Sequence, residues 1–283
     1  GYNGKTPRLS DTWEYDIDND WWTQRADMPG TVRNAATGFS VGSKGYVTTG
    51  YNPDQKYLAD TWEYDPETNT WRQMDDFKGG ARYYALGFGI DNYGYVGTGY
   101  NDNYLKDFYR FDPTAAAGSQ WTIVNGFGGQ KRQGGTAFVI DGKAYVCGGQ
   151  NNNSDVSDFW RFDPSAATPW TQLRDIANTS DDDYDDDYTS IVRSYGVSFV
   201  IDGKAYLTLG STAGGSYYSN YWIYDPETDL WEGDDLTAFE GSTRIHAVCF
   251  STGTRGIIAT GGSGSSSYFD DTWELKPYEY EEE

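Results

Sequence analysis

An internal repeat of about 50 residues constrains the fold of this chain more than any other feature of its sequence. Five arginines are each followed by a phenylalanine six residues later, a tyrosine or isoleucine after thirteen, and a glycine after seventeen. A second block, of the form DTWEYD, begins at residues 11, 60, 107, 158, 220 and 271. The five arginines are Arg33, Arg82, Arg132, Arg193 and Arg244. A register held in five copies without a gap indicates one structural unit repeated along the chain.

Each repeat supplies four short strands, A to D. Strand A runs from the arginine through the phenylalanine, strand B ends at the glycine, strand C is the DTWEYD-type block, and strand D starts at the next tryptophan. One such sheet cannot bury both of its faces, whereas sheets stacked radially bury each other. The repeat therefore predicts an all-β propeller that forms a single domain over residues 1–283. Its blades are expected at about 1–25 (incomplete), 33–74, 82–124, 132–173, 193–233 and 244–276.

The two blocks together predict the number of blades. The first three residues, GYN, align with the GYN at 50–52, so residue 1 is expected to end a strand B whose start is missing. The last repeat has strands A, B and C, and the chain runs out in KPYEYEEE after Leu275. We expect a six-bladed propeller in which a missing N-terminal stretch supplies the remaining strands. A five-bladed ring closed by these residues alone is the alternative.

The repeats resemble those of the kelch family. The period of about 50 residues, the glycine or Gly-Gly that ends strand B, and the later tyrosine and tryptophan form the signature of that family. The resemblance covers nearly the whole chain and implies a kelch-type β-propeller, a fold that carries many functions. The stretches WEYDPETNTW and TGYN are similar to those of bacterial exported kelch proteins. This similarity implies an exported protein, periplasmic or on the cell surface, with a lipid anchor in the missing N-terminal stretch.

The charge of the chain argues against some partners. Lys and Arg total 21 and Asp and Glu total 43, which gives a net charge of −22. A field of this sign repels phosphate backbones and anionic membrane surfaces, so we expect no nucleic-acid partner. No apolar stretch reaches the ~18 residues of a membrane span, so no transmembrane segment is predicted. The two cysteines, Cys147 and Cys249, lie at different repeat positions and are predicted to be buried free thiols.

A candidate ligand site lies where the B–C and D–A loops share one face of the propeller. The two residues after each arginine differ between repeats and are expected to line the mouth of the channel. Together with the residues after each strand-B glycine they form a collar rich in Arg, Tyr, Asn and Gln, which suits a sugar. Ordinary solvated loops are the other interpretation. The candidate ligand-binding residues are Arg33, Arg82, Arg132, Arg193, Arg244, Tyr83, Tyr84, Tyr195, His246, Asn52 and Asn101.

The repeated arginines have two interpretations. Because they recur in every repeat, they are expected to serve the fold, either by pairing with the aspartate of the DTWEYD-type block or by capping strand ends. The alternative is a ring of cations that binds an acidic ligand at one mouth of the channel, since guanidinium forks suit carboxylates. The kelch resemblance favours the second interpretation, because such arginines commonly face the ligand pocket in that family.

The longest insertion precedes Arg193 and contains the run DDDYDDDY at 181–188. Asp181, Asp183 and Asp185 are weak candidates for calcium ligands, because Ca²⁺ takes six to eight oxygen ligands. The run lacks the alternating spacing and the glycine of an EF-hand loop. A solvated or disordered acidic loop is therefore the preferred interpretation, and no metal or other cofactor is predicted.

Catalysis is not the leading hypothesis. The propeller domain of galactose oxidase belongs to the family that this chain resembles, but its copper site needs two histidines, whereas His246 is the single histidine here. His246 is at most a weak candidate for a general base. The leading hypothesis is a non-catalytic module that binds a glycan, or an acidic small ligand or peptide, on the loop face. One alternative is a sialic-acid epimerase (mutarotase), an activity of some six-bladed kelch proteins; another is a protein-interaction scaffold.

Overall fold

The computed structural model describes residues 1–5, 8–233 and 237–277. The chain divides into two compact units, Gly1–Asn125 and Gly126–Glu283. Both units are built from antiparallel sheets, and the strands within each sheet lie side by side in their order along the chain.

Within its described residues, the first unit contains two hairpins and two four-stranded sheets. The first hairpin consists of β1 (Thr12–Asp16) and β2 (Trp21–Arg25). The first blade begins with β3 (Thr37–Val41) and β4 (Lys44–Thr48), continues after the short hairpin of β5 (Tyr51–Asn52) and β6 (Lys56–Tyr57), and ends with β7 (Thr61–Asp65) and β8 (Thr70–Gln73). The second blade consists of β9 (Leu86–Ile90), β10 (Tyr93–Gly97), β11 (Phe108–Phe111) and β12 (Trp121–Val124).

The second unit contains the third, fourth and fifth blades. The third blade has β13 (Thr136–Ile140) and β14 (Lys143–Cys147), then the hairpin of β15 (Gln150–Asn151) and β16 (Ser154–Asp155), then β17 (Trp160–Phe162) and β18 (Trp170–Gln172). A single 3₁₀ turn (Asp183–Asp185) precedes the fourth blade, which has β19 (Val197–Ile201), β20 (Lys204–Thr208), β21 (Trp222–Asp225) and β22 (Leu230–Glu232). The fifth blade has β23 (Val248–Ser251) and β24 (Gly256–Ala259), the hairpin of β25 (Gly262–Ser263) and β26 (Ser267–Tyr268), and β27 (Thr272–Leu275).

The structure has five blades, so the expectation of six blades is wrong for the described residues. Four blades are four-stranded, and the fifth has three strands. The copy of the DTWEYD-type block that begins at Asp11 forms only the β1–β2 hairpin, paired from Thr12 with Arg25 to Asp16 with Trp21. Strands C and D can pair with each other alone, but a blade also needs strands A and B, and the pattern for those strands occurs only five times.

The repeated phenylalanine and tyrosine are cross-strand partners in the centre of each four-stranded blade. Phe39 lies opposite Tyr46, and their rings stack with centroids 5.2 Å apart. The same pair recurs in the next three blades, at 5.3, 5.3 and 6.0 Å. In the fifth blade an isoleucine replaces the tyrosine, and Phe250 is 36% exposed. The repeated positions of the sequence are therefore largely the core of the fold.

Adjacent blades pack closely enough to require glycine at one strand-B position. Phe39 of the first blade packs against Phe111 and Trp121 of the second blade, with ring centroids 5.9 and 6.3 Å away. A Cβ on Gly94 of the second blade would lie 2.1 Å from the Phe39 ring, which no real contact permits. The matching residue of the first blade, Gly45, would meet no atom within 4 Å.

The acidic insertion has a solvated side and a packed side. Five of the six aspartates at 181–187 are exposed, as expected for a solvated acidic loop, and only Asp185 is buried. Ile176, Tyr188 and Ile191 are buried in the core of the second unit. The Tyr188 hydroxyl accepts a hydrogen bond of 2.8 Å from the backbone N–H of Trp231. Burial of the apolar residues that flank the aspartates stabilises the insertion, and the run of charges alone does not predict this burial.

Two simpler expectations concern membrane spans and cysteines. Within residues 1–5, 8–233 and 237–277, no helix has the length and apolar character needed to cross a membrane. Cys147 is buried and Cys249 is half-buried, and both are free thiols. Burial raises the pKa of the Cys147 thiol to about 12 and that of Cys249 to about 11, so neither thiol forms a thiolate readily near neutral pH.

Candidate functional site

The collar predicted from the sequence is held together by backbone pairing in every blade. The residue after each repeated arginine forms an isolated β-bridge with the residue after the glycine that ends strand B. The bridged pairs are Asn34 with Tyr51, Tyr83 with Tyr100, Gln133 with Gln150, Ser194 with Ser211, and Ile245 with Gly262. Because the residues in these pairs differ from blade to blade, each blade presents different chemistry on the same backbone frame.

The second residue after each arginine has a left-handed backbone in all five blades. The residues and their φ angles are Ala35 (53°), Tyr84 (53°), Gly134 (62°), Tyr195 (59°) and His246 (60°). This conformation costs a residue with a side chain about 1 kcal/mol or more, and such strain tends to be kept at functional sites. Backbone hydrogen bonds hold the strained positions of neighbouring blades together: Tyr84 N–H donates to Ala35 O, Tyr195 N–H to Gly134 O, and His246 N–H to Tyr195 O.

The five repeated arginines are part of the fold's interior. Each is at most 2% exposed. In each repeat Nη1 donates to the carbonyl oxygen sixteen residues later, at 2.9 to 3.1 Å, and Nε donates to the carbonyl oxygen two residues earlier. These bonds fasten the start of strand A to the end of strand B. Their ligand-binding role stays a prediction, and the burial of the guanidinium groups argues for the structural interpretation.

Four of the arginines also pair with the aspartate that begins the DTWEYD-type block, as the structural interpretation predicted. The pairs are Arg33–Asp60, Arg82–Asp107, Arg132–Asp158 and Arg244–Asp271. Two guanidinium nitrogens contact both carboxylate oxygens in three of these pairs. The hydrogen bond from Arg244, and then the one from Trp273, lower the pKa of Asp271 below its usual value. These charge-assisted bonds connect the start of strand C to the start of strand A and the end of strand B.

Arg193 is the exception, because an asparagine stands where the other repeats have aspartate. Asn220 accepts from Nη2 through Oδ1 at 3.1 Å and from Nη1 through its backbone carbonyl at 3.3 Å. The guanidinium group has no carboxylate partner among the described residues. Burial lowers the pKa of Arg193 to about 10. The Tyr218 ring, 4.7 Å from the guanidinium carbon, provides a weaker cation–π contact.

A cluster of six half-buried tyrosines, which we call the tyrosine platform, lies on the collar of the first unit. Its members are Tyr51, Tyr57, Tyr83, Tyr84, Tyr100 and Tyr104. Tyr83 contacts four of the others, stacking on Tyr57 at 5.6 Å and 7° and packing on Tyr51 at 5.6 Å. Sequence analysis named Tyr83 and Tyr84 but missed Tyr57 and Tyr104, which lie within the B–C loops. The recurrence of tyrosine at both ends of these loops was the available signal.

The platform is fixed by bonds between the loops of two blades. Tyr57 pairs with Tyr51 across the β5–β6 hairpin, and its hydroxyl donates to Asp102 of the next blade at 2.7 Å. Desolvation, and then this hydrogen bond, raise the pKa of Tyr57. The hydroxyls of Tyr51, Tyr83, Tyr100 and Tyr104 have no hydrogen-bond partner within the described part of the chain. The platform therefore presents aromatic faces with several phenol groups available to a ligand.

A second group of collar residues, which we call the amide–tyrosine cluster, lies in the second unit. Its members are Gln133, Gln150, Tyr195 and His246. The side-chain amides of Gln133 and Gln150 donate to the Tyr195 hydroxyl oxygen at 2.9 and 2.6 Å. The His246 ring meets the Tyr195 ring edge-on, with centroids 4.6 Å apart. The structure thus brings together Tyr195 and His246, which the sequence predicted as ligand-binding residues, with two glutamines of the predicted collar.

The two candidate asparagines differ in role. Asn52 is only 6% exposed; its amide donates to the Val32 carbonyl oxygen, and its Oδ1 accepts from the backbone of Asp54 and Gln55. Asn52 is therefore a turn-forming residue whose polar atoms are used within the loop. Asn101 is half-buried beside the tyrosine platform, and its backbone N–H donates to the Asn103 carbonyl oxygen.

The three candidate calcium ligands do not converge. Asp181 and Asp183 are exposed, whereas Asp185 is fully buried. The Asp185 carboxylate accepts hydrogen bonds from the backbone N–H groups of Thr179 and Ser180 and from the Ser180 hydroxyl. These bonds join the two ends of the turn at 179–185 and use the carboxylate within the loop. Burial raises the pKa of Asp185, but these bonds outweigh the effect and lower it. Across residues 1–5, 8–233 and 237–277, no three His, Cys, Asp or Glu side chains are grouped to hold a metal ion.

An open cleft of about 560 Å³ lies outside the collar, between β8 and the loop that precedes β12. Its lining includes Asp75 and Gln120. Asp75 accepts from the backbone of Gly118 and Gln120, and the Gln120 side chain accepts from the backbone of Asp75. The polar groups of this cleft therefore join two loops to each other and do not form a candidate site.

Comparison with known proteins agrees with this geometry. The model of the Kelch motif matches residues 33–78 and 131–173. An F-box/kelch-repeat protein of Arabidopsis thaliana, At1g22040, is 29% identical over 96 residues, which are 33% of this chain and 17% of that protein. The chain therefore spans a small part of the length of this relative. A solved structure described as the structure of YjhT superimposes with a TM-score of 0.74 at 15% identity, covering 94% of each chain.

The repeated sheets, the motif match and the structural neighbour together define a β-propeller. The chain carries Kelch motifs and has the fold of a β-propeller, which confirms the fold predicted from its repeats, with five blades in place of six among the described residues.

Proposed function

We propose that this propeller is a non-catalytic recognition module that binds an uncharged glycan on the tyrosine platform. The observation that carries the proposal is the gathering of six half-buried tyrosines on three neighbouring collar loops, the B–C loops of the first two blades and the D–A loop between them. Aromatic faces pack against the C–H faces of sugar rings, and phenol groups exchange hydrogen bonds with sugar hydroxyls. The Tyr57–Asp102 bond orders the platform before binding, which reduces the entropy cost of association.

The electrostatics favour an uncharged ligand over an acidic one. The chain carries a net charge of −22, so its overall field repels anions. The five repeated arginines, which would have offset that charge locally, are at most 2% exposed. The sialic-acid epimerase alternative depends on those same arginines to hold a carboxylate, so it loses its main support.

A glycan array followed by calorimetric titration of the strongest uncharged hit tests the proposal. We expect Tyr57→Ala and Tyr83→Ala to weaken binding at least 10-fold, which corresponds to about 1.4 kcal/mol. Tyr93→Ala is the matched control, because Tyr93 begins β10 at the end of the strand opposite the collar. It is expected to leave the affinity unchanged.

Three outcomes would contradict the proposal. Binding that survives both platform substitutions would place the site elsewhere. Mutarotation of a sialic acid by the purified protein would make it an enzyme. A single stoichiometric protein partner, together with no glycan binding, would favour an interaction scaffold, a role common among kelch propellers.

We also propose that the protein is exported. The support is the similarity of WEYDPETNTW and TGYN to stretches of bacterial exported kelch proteins. Fractionation of source cells with an antibody against this chain tests the location, and a signal confined to the cytoplasm would refute it.

A further inference from the structure

The amide–tyrosine cluster is assembled from side chains of three different blades. Gln133 and Gln150 come from the two sides of one β-bridge in the third blade, and Tyr195 comes from the fourth blade. His246 comes from the fifth blade, and its backbone N–H donates to the backbone carbonyl oxygen of Tyr195 at 3.3 Å. One phenol oxygen thus receives two amide donors, an arrangement that fixes the position of the ring.

The backbone around this ring is specialised. Tyr195 and His246 both have a left-handed backbone, at φ 59° and 60°, although neither is a glycine. The third blade has Gly134 at the equivalent position, where a Cβ would lie 2.3 Å from the Tyr195 ring. Glycine in one blade makes room for the aromatic side chain of the next blade. Strained residues that carry functional side chains and lie together are typical of ligand sites.

Buried polar atoms without partners provide an independent sign of a ligand. Gln133 is only 8% exposed, and its Oε1 has no hydrogen-bond partner within the described part of the chain. The same holds for the hydroxyl of Ser194, which is 1% exposed and directly precedes Tyr195. Buried polar atoms in native proteins nearly always have a hydrogen-bond partner. We therefore expect a bound molecule to supply the partners of these two atoms. Because Gln133 Oε1 is a hydrogen-bond acceptor, its partner must be a donor such as a hydroxyl group.

The charge state of the cluster selects the class of ligand. His246 keeps part of its surface exposed, but desolvation by the residues packed around it lowers the pKa of the imidazole to about 4, so the ring is neutral at pH 7. A neutral imidazole offers one donor and one acceptor. The remaining members are amides and a phenol, so the cluster contains no formal charge to pair with an ionic ligand.

We propose that Gln133, Gln150, Tyr195 and His246 form a second binding site, for an uncharged polyhydroxylated ligand such as a neutral monosaccharide. A ligand hydroxyl donates to Gln133 Oε1, and the His246 ring contacts the sugar from the solvent side. This site belongs to the second unit and shares no residue with the tyrosine platform, so it does not depend on the proposed function.

The single histidine provides a direct readout. In a ¹H–¹⁵N spectrum of the imidazole region, His246 gives the only histidine signals of the chain. The probes are galactose and N-acetylglucosamine, with glucuronic acid and glucosamine as charged comparisons. We expect the neutral sugars to shift the His246 signals in a saturable manner, with an affinity at least 10-fold higher than that of either charged sugar.

Two substitutions test the role of the amides. Gln133→Met keeps the length of the side chain but removes both the unpartnered oxygen and the amide donor to Tyr195. Gln150→Ala removes the other donor to Tyr195 and keeps the unpartnered oxygen of Gln133. Both are expected to weaken the titration at least 10-fold. Gln130→Ala, at an exposed neighbouring position, is the control and leaves it unchanged. If one variant fails to fold by circular dichroism, the other still decides the question.

Absence of any saturable shift with the neutral sugars would overturn the proposal, as would a shift that both amide substitutions leave intact. Tyr83→Ala separates this proposal from the previous one. It is expected to weaken glycan binding at the platform at least 10-fold while the His246 titration persists.

Discussion

Replacing Asp158 with asparagine tests whether the repeated arginines serve the fold. Arg132 is 0% exposed and its partner Asp158 is 9% exposed, so the substitution leaves a buried cation facing a neutral amide. Loss of one partner from a buried ion pair typically costs 3–5 kcal/mol. Asparagine keeps one oxygen acceptor, which places the expected loss near the lower end, at about 3 kcal/mol of unfolding free energy.

Asp271→Asn is the graded comparison for this prediction. Arg244 is equally buried, but its partner Asp271 is 37% exposed, so water reaches the carboxylate and screens the pair. We expect a loss of about 1 kcal/mol, in line with exposed ion pairs. The measurement is urea unfolding followed by tryptophan fluorescence, repeated at high salt, where the smaller effect should shrink further.

Equal losses for the two substitutions would refute the reasoning, because they would show that burial of the carboxylate does not set the cost. A loss of less than about 1 kcal/mol of unfolding free energy for Asp158→Asn would contradict the structural role of the arginines more directly. It would mean that the buried pairs contribute little to stability, and the arginines would again become candidates for ligand binding.

Three further predictions follow from single positions. Asn220→Asp gives Arg193 the carboxylate partner that the other blades have, and should raise the free energy of unfolding, measured in urea, by about 1 kcal/mol. A decrease would show that the hydrogen bonds from Arg193 to Asn220 already compensate for the missing carboxylate. Gly94→Ala should cost about 2 kcal/mol because its Cβ meets a phenylalanine ring, whereas Gly45→Ala, with open space, should change stability by less than about 0.5 kcal/mol in the same assay. The His246 signals should titrate near pH 4 by NMR; since the unfolded value of 6.5 is higher, protonation favours the unfolded chain and stability falls as the pH drops from 6.5 to 4. A native titration near 6.5 would contradict this last prediction.

Much of the fold was predictable because it is local and repeated. The period, the alternating aromatic positions and the turn residues specify strands and their order, and these features lie within a few residues of each other. The pairing of the arginines with the aspartates of the DTWEYD-type block was also accessible, because both positions recur in every copy. The number of blades could not be predicted from the repeats, because the extra copy at Asp11 forms a hairpin without the strands that would complete a blade.

The candidate site was only partly predictable. Tyr83, Tyr195 and His246 stood out because they vary within an otherwise regular repeat. Gln133 and Gln150 became important only when the fold directed both amides at one phenol oxygen, across 62 and 45 residues of sequence. A pattern of residue types carries no information about such a convergence.

The sequence by itself determined the repeating unit, its four strands and the positions that differ between copies. Tertiary structure decided what those positions do, because burial and direction depend on neighbours from other blades. It placed the guanidinium groups of the arginines inside the fold, where carbonyl oxygens and carboxylates surround them. It also packed the acidic insertion onto the core through Ile176, Tyr188 and Ile191, because burying the apolar side chains that flank the aspartates offsets the entropy lost by ordering the loop.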